Sequence, residues 1–218
     1  MKVYCNILDG VLNLEDNAYL NADLAIFGFN FIGKINYKNE LSGTEDKLFK
    51  ITKLTKNCKK VLIGGAYTDN YGVIRKSSLI AENGKILGIA DMHLKRQDLS
   101  MSIGFGYKIY PTKMGKIGLL VDQDIFDYDA IKCMAMCDAD LIVVVTDKQD
   151  KQNLDFLIRS YSLLFGINII LLTPNSIIAT NQKGELLTSE NQTKVDLTLS
   201  TNKTYSLVTT KRRGLIKQ

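Results

Sequence analysis

The sequence predicts an α/β protein whose apolar strands alternate with amphipathic helices, and three observations carry that reading. Short runs of buried-strand type recur at Leu24-Ala25-Ile26-Phe27, at 117–121, at 141–145 and at 167–172. Apolar stripes of helical spacing stand between them. The clearest covers 150–165, where Leu154, Leu157, Ile158, Tyr161 and Leu164 share one face and Gly166 supplies the C-cap. Glu82-Asn83-Gly84 joins two extended segments, and Asn-Gly is a strong hairpin signal because both residues accept the left-handed turn conformation.

Size and composition fit one domain. A chain of 218 residues, 45% hydrophobic with 10 Tyr and 8 Phe, is long enough to bury roughly 70% of its extended-chain surface around a single core. Residues 1–202 are read as that domain and 203–218 as a basic tail. No apolar run is long enough to span a bilayer, and the first nine residues read as a strand entering the fold rather than as a signal peptide. A cytoplasmic protein without membrane contact is expected.

The net charge of +5 resides in the tail. Lys203, Lys211, Arg212, Arg213 and Lys217 stand there without an acid, leaving 23 bases against 23 acids in the body. Five bases with so little aromatic interleaving are a weak nucleic-acid signal, and a solvated tail or one packed on a partner subunit is the better reading. Cys5, Cys58, Cys133 and Cys137 form no CxxC pair and fall inside predicted strands or helices. They read as small apolar core residues, with a redox pair of Cys133 and Cys137 as the alternative. A single histidine, His93, argues against a zinc site, and no cofactor is expected.

In chain order, residues 2–8 alternate as a first strand and residues 24–27 form a buried second one, with only a turn or two of helix between them around 14–20. Ser42-Gly43-Thr44-Glu45 reads as a capping box opening a helix whose inner stripe is Leu48, Ile51, Leu54 and Cys58, ended by Lys59 and Lys60. Residues 61–66 supply a strand ending in Gly64-Gly65. No phosphate-binding motif follows, so the pair reads as close backbone packing. The Asn83-Gly84 hairpin has arms at 71–80 and 85–93. Residues 116–121 form a buried strand, 128–136 a helix with Ile131, Met134 and Ala135 inward, 138–145 a strand, and 167–172 another. Thr173-Pro174-Asn175 leads directly into Ser176-Ile177-Ile178-Ala179, and a Lys183-Gly184 turn precedes a last strand at Val195-Asp196-Leu197.

The strand at 116–121 runs into an acidic cluster, Asp122-Gln123-Asp124. In an open α/β sheet the C-terminal end of a buried strand is where a side chain is held rigidly yet can meet a ligand. The text around it is similar to a known family. Gly106 to Thr112, then Gly115-Lys116-Ile117-Gly118-Leu119-Leu120, Asp124-Ile125-Phe126 and Ala139-Asp140-Leu141-Ile142-Val143 resemble the carbon-nitrogen hydrolase (nitrilase) superfamily. That pattern is roughly G-x-x-x-x-x-x-T-x-x-G-K-I-G-x-x-I-C-Y-D-x-R-F-P-E, with the Cys as nucleophile, and the Cys falls on Asp122. A second block, F-P-E-x-x-x-x-G-Y, matches at Phe27 and, one residue early, at Gly33, and places Phe29 where the general-base Glu belongs. A third, the hairpin, matches at Ser77, Ile80, Gly84, Ile86, His93 and Leu94 and places Asp91 at the catalytic Lys. Lys95, four residues further, would lie about 13 Å along the strand.

The resemblance spans residues 1 to about 200 and implies a four-layer αββα sandwich, trimmed at the first helix and at the loop after 172. It implies scaffold without chemistry, because a thiolate nucleophile, a carboxylate base and an oxyanion-stabilising ammonium are replaced by Asp122, Phe29 and Asp91. If Asp91 and Asp122 share one pocket beside Phe29 without a matched base, three resolutions stay open. One acid keeps its proton and forms an acid/base pair. A hard cation binds, with Asp124 as a further oxygen donor. Or the pocket is simply open to water. The functional expectation is a catalytically inactive homologue acting as a binding or scaffold subunit. The alternative is an amide-bond hydrolase with replaced machinery using Asp122 and Asp91, with or without a metal. The family pairs through a helical face, so a dimer through the apolar faces of the 128–136 and 150–165 helices is expected. The sequence does not identify which small molecule, if any, is bound.

Overall fold

Strands that are apolar on both faces must be covered on both faces, and that requirement organises the molecule. The computed structural model describes residues 1–7, 21–29, 31–58, 60–94, 101–148 and 153–202. In chain order these form β1 (Lys2–Asn6), β2 (Leu24–Phe27), β3 (Gly33–Asn36), α1 (Tyr37–Ser42), α2 (Lys47–Cys58), β4 (Val61–Asn70), β5 (Val73–Glu82) and β6 (Lys85–Asp91). Then follow β7 (Lys108–Thr112), β8 (Gly115–Val121), α3 (Tyr128–Met136), β9 (Leu141–Val145), α4 (Leu154–Phe165), β10 (Asn168–Leu172), β11 (Ile177–Thr180) and β12 (Lys194–Thr198).

One sheet has the order β12-β1-β2-β4-β5-β6, with β3 also pairing β4, and the other the order β11-β10-β9-β8-β7. Both are mixed: β1, β2 and β4 run parallel, as do β8, β9 and β10, while the hairpins and outer strands are antiparallel. Val3, Ile26, Ile63 and Ile80 of the first sheet meet Leu119, Val143 and Ile170 of the second across the central layer. On the outer face of the first sheet Tyr4, Ala25, Leu62 and Leu79 pack with Ile51 of α2. On that of the second, Leu120, Ile142, Val144 and Ile169 pack with Ile131, Met134, Ile158 and Phe165 of α3 and α4. Helix, sheet, sheet, helix is the expected αββα sandwich.

The Asn83-Gly84 hairpin forms as read, with both residues at positive φ. Tyr71-Gly72 makes a second such turn between β4 and β5, so the strand from 61 runs on to Asn70. The connection after β10 is short, closed by hydrogen bonds between Thr173 and Ser176. Two expectations are corrected. Ser42 ends α1, with Gly43 as its left-handed C-cap, instead of opening the next helix. The α2 amides of Lys47 and Leu48 are met by the Glu40 carboxylate, at 3.0 and 3.2 Å, a cap donated from the preceding helix. Cys133 and Cys137 are exposed on α3, not core residues, while Cys5 is buried and its thiol pKa is pushed up by desolvation and then by Asp196. The helix expected around 14–20, Lys95 and the 203–218 tail lie outside the described residues. Among the described residues no helix is long and apolar enough to cross a membrane.

The Gly64-Gly65 pair serves backbone packing. A Cβ at Gly65 would lie 2.5 Å from the Phe29 α-carbon and 2.9 Å from its carbonyl oxygen, and the Gly65 amide donates to Gly28. This contact seats Phe29 against β4. Gly65→Ala therefore forces backbone apart and is expected to lower stability by about 1–3 kcal/mol, read as a lower urea midpoint at unchanged m-value.

Candidate functional site

β8 ends at Val121, and the chain turns into a single 3-10 turn, Asp122–Phe126. Asp122 makes that turn at φ 51, a left-handed conformation disfavoured for a residue with a Cβ. Such a sharp turn at the end of a strand is how hydrolases present a nucleophile. The neighbouring strand β9 pairs Val145 with Val121, so Thr146 and Asp147 leave the sheet beside Asp122.

The opposite sheet supplies the counter-charge. Tyr67 on β4 and Lys76 on β5 are cross-strand partners, so their side chains share one face. Lys76 Nζ donates to Asp122 Oδ2 at 2.6 Å and to Asp147 Oδ1 at 2.5 Å. Tyr67 Oη donates to Asp147 Oδ2 at 2.5 Å. The other oxygen of Asp122, Oδ1, accepts from Thr146 Oγ1 at 2.8 Å and from Gln123 Nε2 at 3.2 Å. The Lys76 and Asp122 side chains are only 4% and 1% exposed and that of Asp147 is 19% exposed, so the cluster is a polar knot between the sheets. Desolvation opposes the Lys76 charge, but the hydrogen bonds and charges of Asp122 and Asp147 outweigh it and hold the ammonium above its usual range. Burial, and then Asp147, push the Tyr67 phenol up.

Phe29 follows β2 and lies beside this cluster. It is buried, meets Tyr67 edge-on with ring centroids 5.0 Å apart, and has Lys76 Nζ 6.0 Å from its ring centroid. Asp122 and Phe29 thus share one region, joined through Lys76 and Tyr67.

Asp91 does not join them. It pairs with Ser77, one residue along β5 from Lys76, and alternation places it on the other face of the sheet. There Ser77 Oγ donates to its Oδ1 at 2.6 Å, Thr68 backs Ser77 at 2.9 Å, and Arg75 Nε lies 3.8 Å from Oδ2. The paired-acid pocket anticipated from the sequence is replaced by an acid pair of different membership, Asp122 with Asp147, that carries its own ammonium.

Asp124 is a cap. Its Oδ1 accepts from the amides of His93 and Leu94 at 2.8 and 2.7 Å, and its Oδ2 from the amide of Val121 at 3.1 Å. Both oxygens are engaged by backbone amides. Among the described residues, no three His, Cys, Asp or Glu side chains are grouped to hold a metal ion.

Sequence reasoning missed Lys76, Tyr67, Thr146 and Asp147. One signal was available: Asp147 follows the run Leu141–Val145 much as Asp122 follows 117–121, at the same edge of the same sheet.

No family model matches the sequence, and no curated protein matches it. Solved structures do match. Nit3 of Saccharomyces cerevisiae, a member of branch 10 of the nitrilase superfamily, is similar at TM-score 0.74 and 16% identity, over 90% of this chain and 89% of that one. A carbon-nitrogen hydrolase from Helicobacter pylori matches at TM-score 0.73 and 16% identity over 99% and 93% of the two chains. A mutant amidase from a Nesterenkonia species, carrying acrylamide added at its active-site cysteine, matches at TM-score 0.77 and 12% identity over 100% and 98%. The chain has the fold of the nitrilase superfamily.

Burial pushes the Asp124 carboxyl up to about 6, against the pull of its three backbone amides and, more weakly, His93. A raised carboxyl binds its proton more tightly in the folded chain, so this group's contribution to stability falls as pH rises from about 4 to about 6 and is flat outside that window. The shift corresponds to about 3 kcal/mol at most. Urea denaturation of the wild type and of Asp124→Asn across this range is expected to differ in slope, with the extra downward slope confined to the wild type.

Proposed function

We propose that this protein is a non-catalytic nitrilase-fold subunit whose reaction centre has become a structural ion-pair cluster, and that it acts by binding or scaffolding. The observation that carries the reading is the state of Asp122. At the position matched to a nucleophile, both carboxylate oxygens are engaged, by Lys76 on one side and by Thr146 and Gln123 on the other, in a side chain 1% exposed. A phenyl ring at Phe29 accepts no proton. The alternative hydrolase using Asp122 and Asp91 loses its acid pair, because Asp91 lies across the sheet. A metal-assisted version would have to displace Lys76.

The purified protein is expected to leave simple amides and nitriles unhydrolysed. Acrylamide or iodoacetamide is expected to modify the exposed Cys133 and Cys137 while sparing the buried Cys5. Amide turnover that persists in Cys133→Ala/Cys137→Ala and is lost in Asp122→Asn would overturn the reading.

The scaffold role extends to self-association. Tyr128, Met136, Phe156, Leu163 and Leu164 stand exposed on α3 and α4 on the outside of the second sheet, an apolar surface of the kind that marks contact sites. Light scattering at micromolar concentration is expected to give the mass of a dimer, and Phe156→Glu with Leu163→Glu the mass of a monomer.

A further inference from the structure

The Lys76 cluster contains more than an ion pair requires. A structural salt bridge needs one ammonium and one carboxylate, whereas here one buried ammonium touches two carboxylates that are held differently. Asp122 is fixed by a strained backbone, and its Oδ1 sits between two donors, Thr146 Oγ1 at 2.8 Å and Gln123 Nε2 at 3.2 Å. Its Oδ2 faces Lys76 Nζ at 2.6 Å. Asp147 contacts the same nitrogen at 2.5 Å from another direction and is itself held by Tyr67. An amine, a carboxyl, a second acid placed to take the amine's proton and two donors on the carboxyl oxygen that would bear negative charge are the parts needed to make an amide.

We propose that Lys76 and Asp122 condense to an intramolecular isopeptide bond, with Asp147 as proton acceptor and Thr146 and Gln123 as the oxyanion donors. The Lys76 ammonium passes one proton to Asp147, and the freed amine attacks Asp122 Cγ. The tetrahedral intermediate carries its charge on Oδ1, between Thr146 and Gln123. As the intermediate collapses, the Nζ–Cγ bond is retained and the Cγ–Oδ2 bond breaks. Of the three ammonium protons, one stays on the amide nitrogen and two leave with Oδ2 as water, one of them by way of Asp147. Charge and atoms balance without oxidant, reductant or activated donor. Gln123 Oε1, buried and without a hydrogen-bond partner, is an acceptor available to the departing water.

The surroundings favour condensation. The reacting groups are fixed in contact, which removes the entropy of bringing amine and acid together. Phe29 and the apolar layer between the sheets keep Lys76 and Asp122 almost wholly from water, the species that would drive the reverse reaction, while Asp147 is partly exposed at the edge of the cluster. The two carboxylates keep the amine protonated, so reaction depends on the second acid. Asp147 is therefore the residue whose removal should stop it.

Intact-mass measurement on the denatured full-length chain tests this. The expected mass is that of the sequence less one water. A tryptic map should contain a branched peptide joining Lys76 to Asp122, with no cleavage after Lys76. Asp147→Asn and Lys76→Arg should both retain the full sequence mass, while far-ultraviolet circular dichroism reports that they are folded. Recovery of Lys76 and Asp122 in linear peptides after prolonged incubation at neutral pH would overturn the proposal. So would a water loss that persists in Lys76→Arg or maps to the Asp9-Gly10 dipeptide, where an aspartyl imide forms. The proposal rests on the sealed centre described above, yet the two fail separately: a missing cross-link leaves the scaffold reading standing, and amide turnover overturns that reading without altering the mass.

Discussion

Two carboxylates at the ends of adjacent strands of one sheet are tolerated in the interior only because a single ammonium reaches them from the other sheet. Asp122 leaves β8 and Asp147 follows β9, so both are fixed by the parallel register of Val121 with Val145. Without Lys76, only neutral donors would stand against the desolvation cost of the two acids, Thr146 and Gln123 on Asp122 and Tyr67 on Asp147. The ion pair also constrains how the sheets lie on one another. Most of the layer between them is aliphatic and non-directional, whereas Lys76 with two acids, and Tyr67 with one, prescribe a distance and an orientation. Phe29 closes the cluster, and it can do so because Gly65 lets its backbone approach β4.

The β5–β6 register sets which strand brings positive charge to this region. By motif, the ammonium belongs on β6, where this chain has Asp91. In the structure an ammonium still reaches the centre, but from β5, one strand over, through a residue whose neighbour Ser77 pairs with Asp91. Adjacent positions on a strand point to opposite faces, so substituting a single site on β6 could not move its side chain into the centre, and Lys76 arrives by a different strand.

Much of the architecture was legible because it follows from local chemistry. The β2 strand and the α3 helix lie within the bounds read from apolar pattern alone, and Asn83-Gly84 dictated its hairpin. The elements that were not legible share a cause: each depends on contacts between segments distant in sequence. The α2 cap comes from Glu40 on another helix, where Ser42 and Glu45 offered a more conventional local signature. Tyr71 at positive φ is set by the long β4–β5 pairing rather than by its own preference. Lys76 was not singled out from sequence, and its partners Asp122 and Asp147 lie on the second sheet. At the site, the sequence singled out Phe29 and Asp122, which share Lys76 as a neighbour, but none of the residues that bind the Asp122 carboxylate.

That character bears on how the strained turn should be read. Positive φ at a residue with a Cβ costs about 1–3 kcal/mol and persists only where the surroundings over-determine it. Strain of this kind at an active site is commonly attributed to catalysis. Here the determinants are structural. The Asp124 carboxylate binds the Val121 amide on one side of the turn and the His93 and Leu94 amides on the other, locking the chain immediately before and after Asp122 and tying both to the segment beyond β6. Burial raises the Asp124 pKa to about 6, against the three amide bonds that would be lost if it moved. The turn is thus held by a carboxylate bound to backbone amides, independently of what the Asp122 side chain touches. A strained, nucleophile-like backbone is accordingly no evidence of a nucleophile in this molecule; it is a mount, and its chemistry is decided by what is fixed to it.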